Sequence, residues 1–354
     1  MTRQGGEAGA DISLPTARGP VSDQLIQGLR RPPHHLRVDG LESLDAEDPL
    51  VGDDLHLALY TCYELHYRSF CDVDDAWEWH PSVLALRSSL EQRFLDALVD
   101  DIGPSRAIAP DAVGAALHET LASGTGPSLS SFMASRGSLR QLREFAIHRS
   151  AYQLKEADPH TWAIPRLYGS PKAALVKIQA DEYGNGEPDE VHATRFAMTM
   201  VALGLDATYG AYLDRIPGVT LATVNLVSLF GLHRRWRGAL VGHLAIFEMA
   251  SVVPMGRYAQ ALRRLGYGTD ATGFYDVHVL ADAVHEKIAE HDLAVGFANT
   301  EPRRAGDILF GARAIMAVEE RFARHLVDAW NRGETSLSES VPRLQLGSAA
   351  LAGA

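Results

Sequence analysis

Histidine and aspartate recur at helical spacing in the stretch HVLADAVH, residues 278–285. At about 100° per residue, His278, Asp282 and His285 would lie within about 60° of one another on one helix face. Imidazole and carboxylate ligands together suit iron or manganese. One helix cannot enclose a metal ion, so the remaining ligands must come from elsewhere in the chain.

Candidates for the remaining ligands lie upstream. Asp189 and His192 form an acid–His pair at i, i+3 spacing, which would place both on one face of a helix. Glu182 and Glu156 each end a predicted helix, in VKIQADEY and YQLKEADPH. A di-iron or di-manganese site in a helical bundle needs several carboxylates and histidines projecting inward from facing helices. Together with the three residues above, the chain offers seven candidate ligands.

The rest of the sequence predicts helices that would position these residues. From Asp53 onward, apolar residues recur at three- and four-residue spacing, Pro and Gly mark the helix ends, and no alternating strand pattern stands out. Residues 1–45 are rich in Gly, Pro, Asp and Arg without an apolar period, which predicts a disordered leader. The sequence therefore predicts an all-α protein, with an N-terminal helical extension over 46–126, a helical domain over 127–333 and a flexible tail over 334–354.

Composition and charge limit the partners. The chain has 33 Lys and Arg against 45 Asp and Glu, a net charge of −12, which argues against nucleic acid and against an anionic membrane surface. No run of about 18 apolar residues and no signal-peptide core is visible, so we expect no membrane span and a cytoplasmic location. Cys62 and Cys71 make no disulfide framework. The sequence does not choose between a monomer and a homodimer.

Other polar residues have structural as well as functional interpretations. Three residues beside Glu156 are interpreted as surface groups or helix-end partners: Lys155, Asp158 and His160. Asp181 and Glu190 flank the candidate ligands but point elsewhere by helical phase. His243 and Glu248 lie on an otherwise apolar helix, where they fit either partners that support the ligands or buried hydrogen-bonded groups.

The stretches KEADPH, QADEYGNGEPDEVH, SLFGLHRRWRGALVGHLAIFE and FYDVHVLADAVHE resemble the haem-oxygenase-like di-iron oxidases and oxygenases, a family of iron-containing redox enzymes. The resemblance covers about residues 128–330. Its most specific element is a His-x3-Asp-x2-His helix combined with a Glu ten residues before a His, here Glu182 and His192. The family's first-helix Glu falls on Glu156. An acidic position three before the His, often Glu in the family, is Asp189.

The resemblance implies a haem-oxygenase-like helical bundle that binds two irons per chain. It implies two ligand sets, Glu156, Glu182 and His192 for one iron and His278, Asp282 and His285 for the other, with Glu182 bridging and Asp189 joining on oxidation. It also implies O₂ and a small-molecule substrate as partners. An external electron donor is expected, because no flavin or NAD fingerprint and no cluster-binding cysteines are visible.

Members of this family cleave C–C bonds of fatty or amino acids oxidatively, or oxidise amine nitrogen to hydroxylamine or nitro products. We expect N-oxygenation of a small amine in a biosynthetic pathway, with oxidative decarboxylation or C–C cleavage as the alternative. A haem-binding or haem-degrading protein of the same fold would need an axial histidine and a porphyrin-sized slot. A thiaminase-like hydrolase would need a cysteine near the pocket, and Cys62 and Cys71 lie in the predicted extension. A purely structural helical protein would bind no metal.

Overall fold

The protein is a bundle of helices, and no strand occurs in the residues that the structure, a computed structural model, describes, which are 12–338. The first helices are α1 (Pro20–Leu29), α2 (Asp53–Glu64), α3 (Pro81–Ile102), α4 (Val113–Ala122), α5 (Leu129–Arg136), α6 (Leu139–Gln153) and α7 (Asp158–Thr161). They are followed by α8 (Gly169–Glu182), α9 (His192–Ala202), α10 (Gly218–Leu232), α11 (Arg237–Arg264), α12 (Thr269–Lys287), a π-helical segment (Ile288–Val295), α13 (Gly296–Thr300) and α14 (Ala305–Asn331). The predicted all-α fold is confirmed.

The centre of the bundle is formed by α10 and α11. Helix α10 is mostly apolar, carries no charged residue and is buried almost throughout, as expected of a helix surrounded by others. Helix α11 packs against α12 and α14. Its approach to α14 depends on glycine, because a Cβ on Gly242 would lie 1.9 Å from the carbonyl oxygen of Ile308, and one on Gly311 would lie 2.0 Å from that of Ala239.

The helical stretch Arg234–Arg264 is long and apolar enough to cross a membrane, with a mean hydropathy of 1.5 over its most apolar window. The sequence-based statement that no such stretch exists therefore has one exception among the described residues. Of that window, 56% is buried inside the protein, and it includes the buried polar residues His243 and Glu248. These properties are typical of a core helix.

The N-terminal residues that the structure describes are folded onto the bundle. Leu25 and Leu29 of α1 are fully buried, and α1 packs against α2. The Asp54 carboxylate of α2 accepts hydrogen bonds from the backbone N–H groups of Val21 and Ser22, at 2.9 and 2.7 Å, and so satisfies the N-terminus of α1. The predicted disordered leader is therefore wrong for residues 12–45, and residues 1–11 lie outside the described chain.

The start of the predicted tail is also fixed. Glu144 Oε2 accepts hydrogen bonds from the indole of Trp330 and from the backbone and hydroxyl of Ser336, at 2.7–3.0 Å, and Leu337 is buried. The prediction of a flexible tail is wrong for residues 334–338, and 339–354 lie outside the described chain. The domain boundary near residue 126 stays a prediction. Buried residues from both sides of it belong to one hydrophobic core.

A buried ion pair links the N-terminal part of the chain to the segment that carries Glu156. Lys155 Nζ donates to Glu64 Oε2 at 2.7 Å, and the Tyr209 hydroxyl donates to the same carboxylate at 2.8 Å. Lys155 is 2% exposed, so its interpretation as a surface group is wrong. The pair ties α2 to the link between α6 and α7.

Replacing Lys155 by methionine should lower the free energy of unfolding by about 3–5 kcal/mol, because it leaves the Glu64 carboxylate buried without its cation. Chemical denaturation measures this change. Arg37→Met is the matched control, since Arg37 and its partner Asp39 are 78% and 68% exposed and such pairs contribute less than about 1 kcal/mol. A loss at Lys155 as small as that control would contradict the prediction.

Candidate metal centre

Carboxylates and histidines from five parts of the bundle converge on one buried pocket. In the first group, the ligand atoms of four residues lie within 4.8 Å of one another: Glu156, Glu182, His192 and His278. In the second group, the same holds for Glu182, Glu248 and His285. The groups share Glu182, so they adjoin.

A sharp reversal of the chain brings Glu182 and His192 together. Glu182 ends α8, His192 begins α9, and Gly184 and Asn185 between them have positive φ angles of 62° and 52°. A Cβ on Gly184 would lie 2.6 Å from the backbone nitrogen of Val191, so the turn needs glycine there. As a result, Glu182 Oε2 lies 2.7 Å from His192 Nδ1.

The HVLADAVH stretch lies on α12, and its three polar residues point inward. His278, Asp282 and His285 are 4%, 2% and 1% exposed. His278 and His285 are seven residues apart, which is about 10 Å along a helix. They therefore contribute to different groups, His278 beside Glu156 and His285 beside Glu248. This division differs from the one that the family resemblance implies, in which both histidines hold the same iron.

Hydrogen bonds fix how both α12 histidines present their ring nitrogens. His278 Nδ1 lies 2.7 Å from the carbonyl oxygen of Phe274, so Nδ1–H donates and Nε2 faces the pocket. His285 Nε2 lies 2.8 Å from Asp181 Oδ2, which leaves Nδ1 free to face Glu248. Such outward hydrogen bonds orient metal-binding histidines. The prediction that Asp181 points elsewhere is wrong.

Five buried atoms of this cluster have no hydrogen-bond partner within the described chain. They are Glu182 Oε2, His192 Nδ1, His278 Nε2, Asp282 Oδ2 and His285 Nδ1. The close approach of Glu182 to His192 does not count, because its angles are not those of a hydrogen bond. Buried polar atoms are rarely left unpaired. Buried carboxylate oxygens and imidazole nitrogens without hydrogen-bond partners can bind metal ions instead. This mixture of oxygen and nitrogen ligands fits iron.

Burial disfavours the ionised form of the carboxylates in the pocket. Burial raises the pKa of Glu182 to about 7, and burial together with the charge of Glu248 raises that of Asp282 to about 7. Burial also raises the pKa of Glu248. A metal cation would remove this penalty, because it compensates the negative charges that burial disfavours.

The histidines respond to the same charges in two ways. Burial alone would lower the pKa of His278, but the carboxylates of Glu156, Glu182 and Asp282 together raise it to about 10. The pKa of His192 falls to about 4, through burial and the nearby His278. The pocket therefore attracts a proton where a metal ion could bind instead, since a ligating imidazole must be unprotonated.

Asp189 lies outside the cluster. It is exposed in the short 3-10 turn Pro188–Glu190, and Val191 has an extended ψ of 127°. The helical i, i+3 relation to His192 is therefore absent, and the prediction that both share a helix face is wrong. Glu248 is the carboxylate that completes the second group. The sequence signal for Glu248 is that it is an acidic residue within the apolar helix α11.

We expect Asp189→Ala to bind ferrous iron as the parent protein does, because its side chain points to solvent. Glu248→Gln should weaken the second ion by more than about 10-fold, since it removes a ligand charge from the His285 side. Anaerobic ferrous titration of the two variants side by side makes the comparison. The assignment of Glu248 fails if Asp189→Ala is the variant that loses iron.

A cavity of about 50 Å³ borders the cluster, and its wall includes Glu156, Glu182 and Asp282. His160 also lines it and lies 3.1 Å from His243, Nε2 to Nδ1. Both histidines are buried, so the interpretation of His160 as a surface group is wrong.

The comparison with known families agrees with this chemistry. A family model described as "Iron-containing redox enzyme" matches residues 143–320, about half of the chain. The matched range contains both ligand groups. No curated protein matches the sequence.

Proposed function

This chain belongs to the iron-containing redox enzyme family, and from this premise we propose that it is a non-haem di-iron oxygenase. An oxidoreductase role follows from the family itself. The proposed reaction is the O₂-dependent oxidation of the nitrogen of a small amine to a hydroxylamine or nitro product, in a biosynthetic pathway. The observation that carries the proposal is the sharing of Glu182 by two adjoining ligand groups.

The groups suggest one ligand set for each iron. The first set is Glu156, Glu182, His192 and His278, and the second is Glu182, Glu248 and His285, with Asp282 beside it. Bound ferrous ions would supply the electrons and open coordination positions that O₂ activation needs. The chain's part is to hold the ligands in place, through Phe274 for His278 and Asp181 for His285.

The walls of the small cavity favour an amine as the reacting group. Its lining includes four carboxylates, Glu156, Glu182, Glu248 and Asp282, and neither lysine nor arginine. A substrate carboxylate is usually held by a guanidinium or ammonium group. With the irons bound, these carboxylates would serve as ligands and their charge would be compensated, while no Lys or Arg of the described lining could hold a substrate carboxylate. A neutral amine therefore suits this wall better than an acid does.

The reaction needs an external electron donor. When O₂ converts a primary amine to a hydroxylamine, one oxygen atom enters the product and the other leaves as water, which consumes two electrons and two protons. No dinucleotide fingerprint is visible in the sequence. We therefore propose a separate reductase or small-molecule reductant as partner.

The geometry disfavours a haem protein on the same fold. The cavity beside the histidines measures about 50 Å³, far below the volume that a drug-sized ligand occupies. A larger cavity nearby has no histidine among the described residues that line it, so none of them would give a porphyrin there an axial imidazole.

Product analysis tests the reaction. The protein is loaded anaerobically with ferrous iron, mixed with a panel of amines and fatty acids, and exposed to O₂ with a reductant. We expect mass spectrometry to find an amine that has gained oxygen at nitrogen. Chain-shortened or decarboxylated products from the acids, with unchanged amines, would replace this proposal by C–C cleavage.

A further inference from the structure

A second cavity, of about 500 Å³, lies next to the small one. It is formed by the start of α5 and by α6, α11, α12 and α14. It reaches the surface between the loop 124–128 and Ala250 of α11. Ala250 and the loop residues that line the cavity are exposed, except for Pro127. Its volume falls in the range of pockets that bind small organic ligands. We refer to it as the chamber.

One face of α11 separates the chamber from the metal pocket. Phe247, Ser251 and Met255 line both cavities, as does Gln153 of α6. The first three are four residues apart and so form one stripe on the helix. Ser251 is the smallest member of the stripe and lies between two large side chains, so the wall that the two cavities share is thinnest in side-chain volume there.

The chamber is apolar, and its charges are paired. Its walls include Phe145, Phe196, Ile246, Tyr258, Phe274 and Ile315. Arg149 donates to both carboxylate oxygens of Glu319, at 2.8 and 2.6 Å, and Glu320 accepts from Arg324 at 2.6 Å. A ligand in the chamber therefore meets apolar surface and neutralised ion pairs. A second charged group on the ligand would lose its hydration without gaining an unpaired charge of opposite sign as partner.

We propose that the substrate is an amine that carries an extended apolar body, an alkyl chain or an aromatic ring. The body lies in the chamber, and the nitrogen passes Ser251 to reach the carboxylate-lined pocket. The amine group of the substrate is taken from the proposed function, on which this inference rests. The apolar body is inferred from the chamber. Among the amines of the proposed function, the chamber selects those with an apolar body over polar ones, which would leave it filled with water.

The test is a binding series measured without turnover. Isothermal titration calorimetry of the ferrous-loaded protein under anaerobic conditions compares n-butylamine, n-hexylamine, n-octylamine and n-decylamine. Because each buried methylene contributes about 0.8 kcal/mol, affinity should rise about fourfold per methylene. An affinity that does not change with chain length overturns the chamber as the site of the body.

The head group is tested separately, with n-decanoate. We expect n-decanoate to bind at least tenfold more weakly than n-decylamine. Equal or tighter binding of n-decanoate would overturn the amine head group and the proposed N-oxygenation, while the chain-length series would still report on the chamber. The two failures are therefore distinguishable.

Variants of α14 locate the bound chain. Ala323→Phe narrows the chamber away from the metal pocket and should flatten the chain-length series, with ferrous stoichiometry unchanged. Ala317→Phe, on the same helix but lining neither cavity, should keep the parental slope. If Ala323→Phe does not fold, Met316→Trp narrows the chamber from a half-buried position. A parental slope in the folded narrowing variant would place the chain elsewhere and overturn the proposal.

Discussion

Replacing His285 by alanine should remove one of the two ferrous ions that we propose and leave the helical circular dichroism unchanged. Among residues 12–338, His285 offers the only imidazole of the second ligand group, and its Nδ1 is a buried atom with no hydrogen-bond partner in that range. Its loss should weaken the second ion by more than about 100-fold, since even residues behind a ligand contribute 10–100-fold. Anaerobic ferrous titration, followed by circular dichroism of the same sample, measures both quantities.

Two further variants make this result specific. Asp181→Asn keeps the ligand but weakens the hydrogen bond that orients it, so we expect an intermediate loss of about 10–100-fold. His243→Ala removes another buried histidine, one that contacts His160 rather than the ligand groups. It should lower stability and keep the iron stoichiometry. Unfolding of His285→Ala, with iron-independent loss of helicity, would instead make His285 a structural core residue.

Replacing Glu182 by glutamine should have the largest effect, because Glu182 belongs to both ligand groups. The amide keeps the size of the side chain and removes its charge, so both ions should be lost rather than one. Glu187→Gln makes the same chemical change at an exposed position five residues away and should bind iron normally. Two ions in Glu182→Gln, at parental affinity, would contradict the assignment of Glu182 to both ligand groups.

The iron-free form of Glu182→Gln gives an independent readout. Burial raises the pKa of Glu182 to about 7, above its value in an unfolded chain, so its ionisation costs stability as pH rises through that range. Glutamine removes this cost. At pH 8 the iron-free variant should therefore unfold at the same or a higher denaturant concentration than the iron-free parent, although it binds iron worse. Clear destabilisation would show that Glu182 serves the fold rather than the metal.

The local parts of this site could be read from the sequence. The spacing of His278, Asp282 and His285 describes a face of one helix, and a helix does contain them, over Thr269–Lys287. The all-α fold and the family are likewise confirmed. The role of the three residues as ligands stays a prediction. What succeeded depends on helical periodicity, which needs no knowledge of tertiary contacts.

The parts that failed depend on contacts between distant segments. Asp189 has a helical spacing to His192, but the chain reverses before His192. The sequence pattern does not indicate that α9 begins at His192. Glu248 becomes a candidate ligand only because α11 packs against α12. The start of α1 is held by Asp54, more than thirty residues further along the chain. Periodicity cannot supply any of these relations.

The central proposal is that one buried pocket holds two irons whose ligand groups share Glu182. Its most direct test is magnetic: the protein is loaded anaerobically with ferrous iron, oxidised by O₂, and examined by Mössbauer spectroscopy alongside iron quantification. We predict about two irons per chain, present as an antiferromagnetically coupled ferric pair, and loss of that pair in Glu182→Gln. Saturation at one iron per chain, or a spectrum of magnetically isolated ferric ions, would contradict the claim.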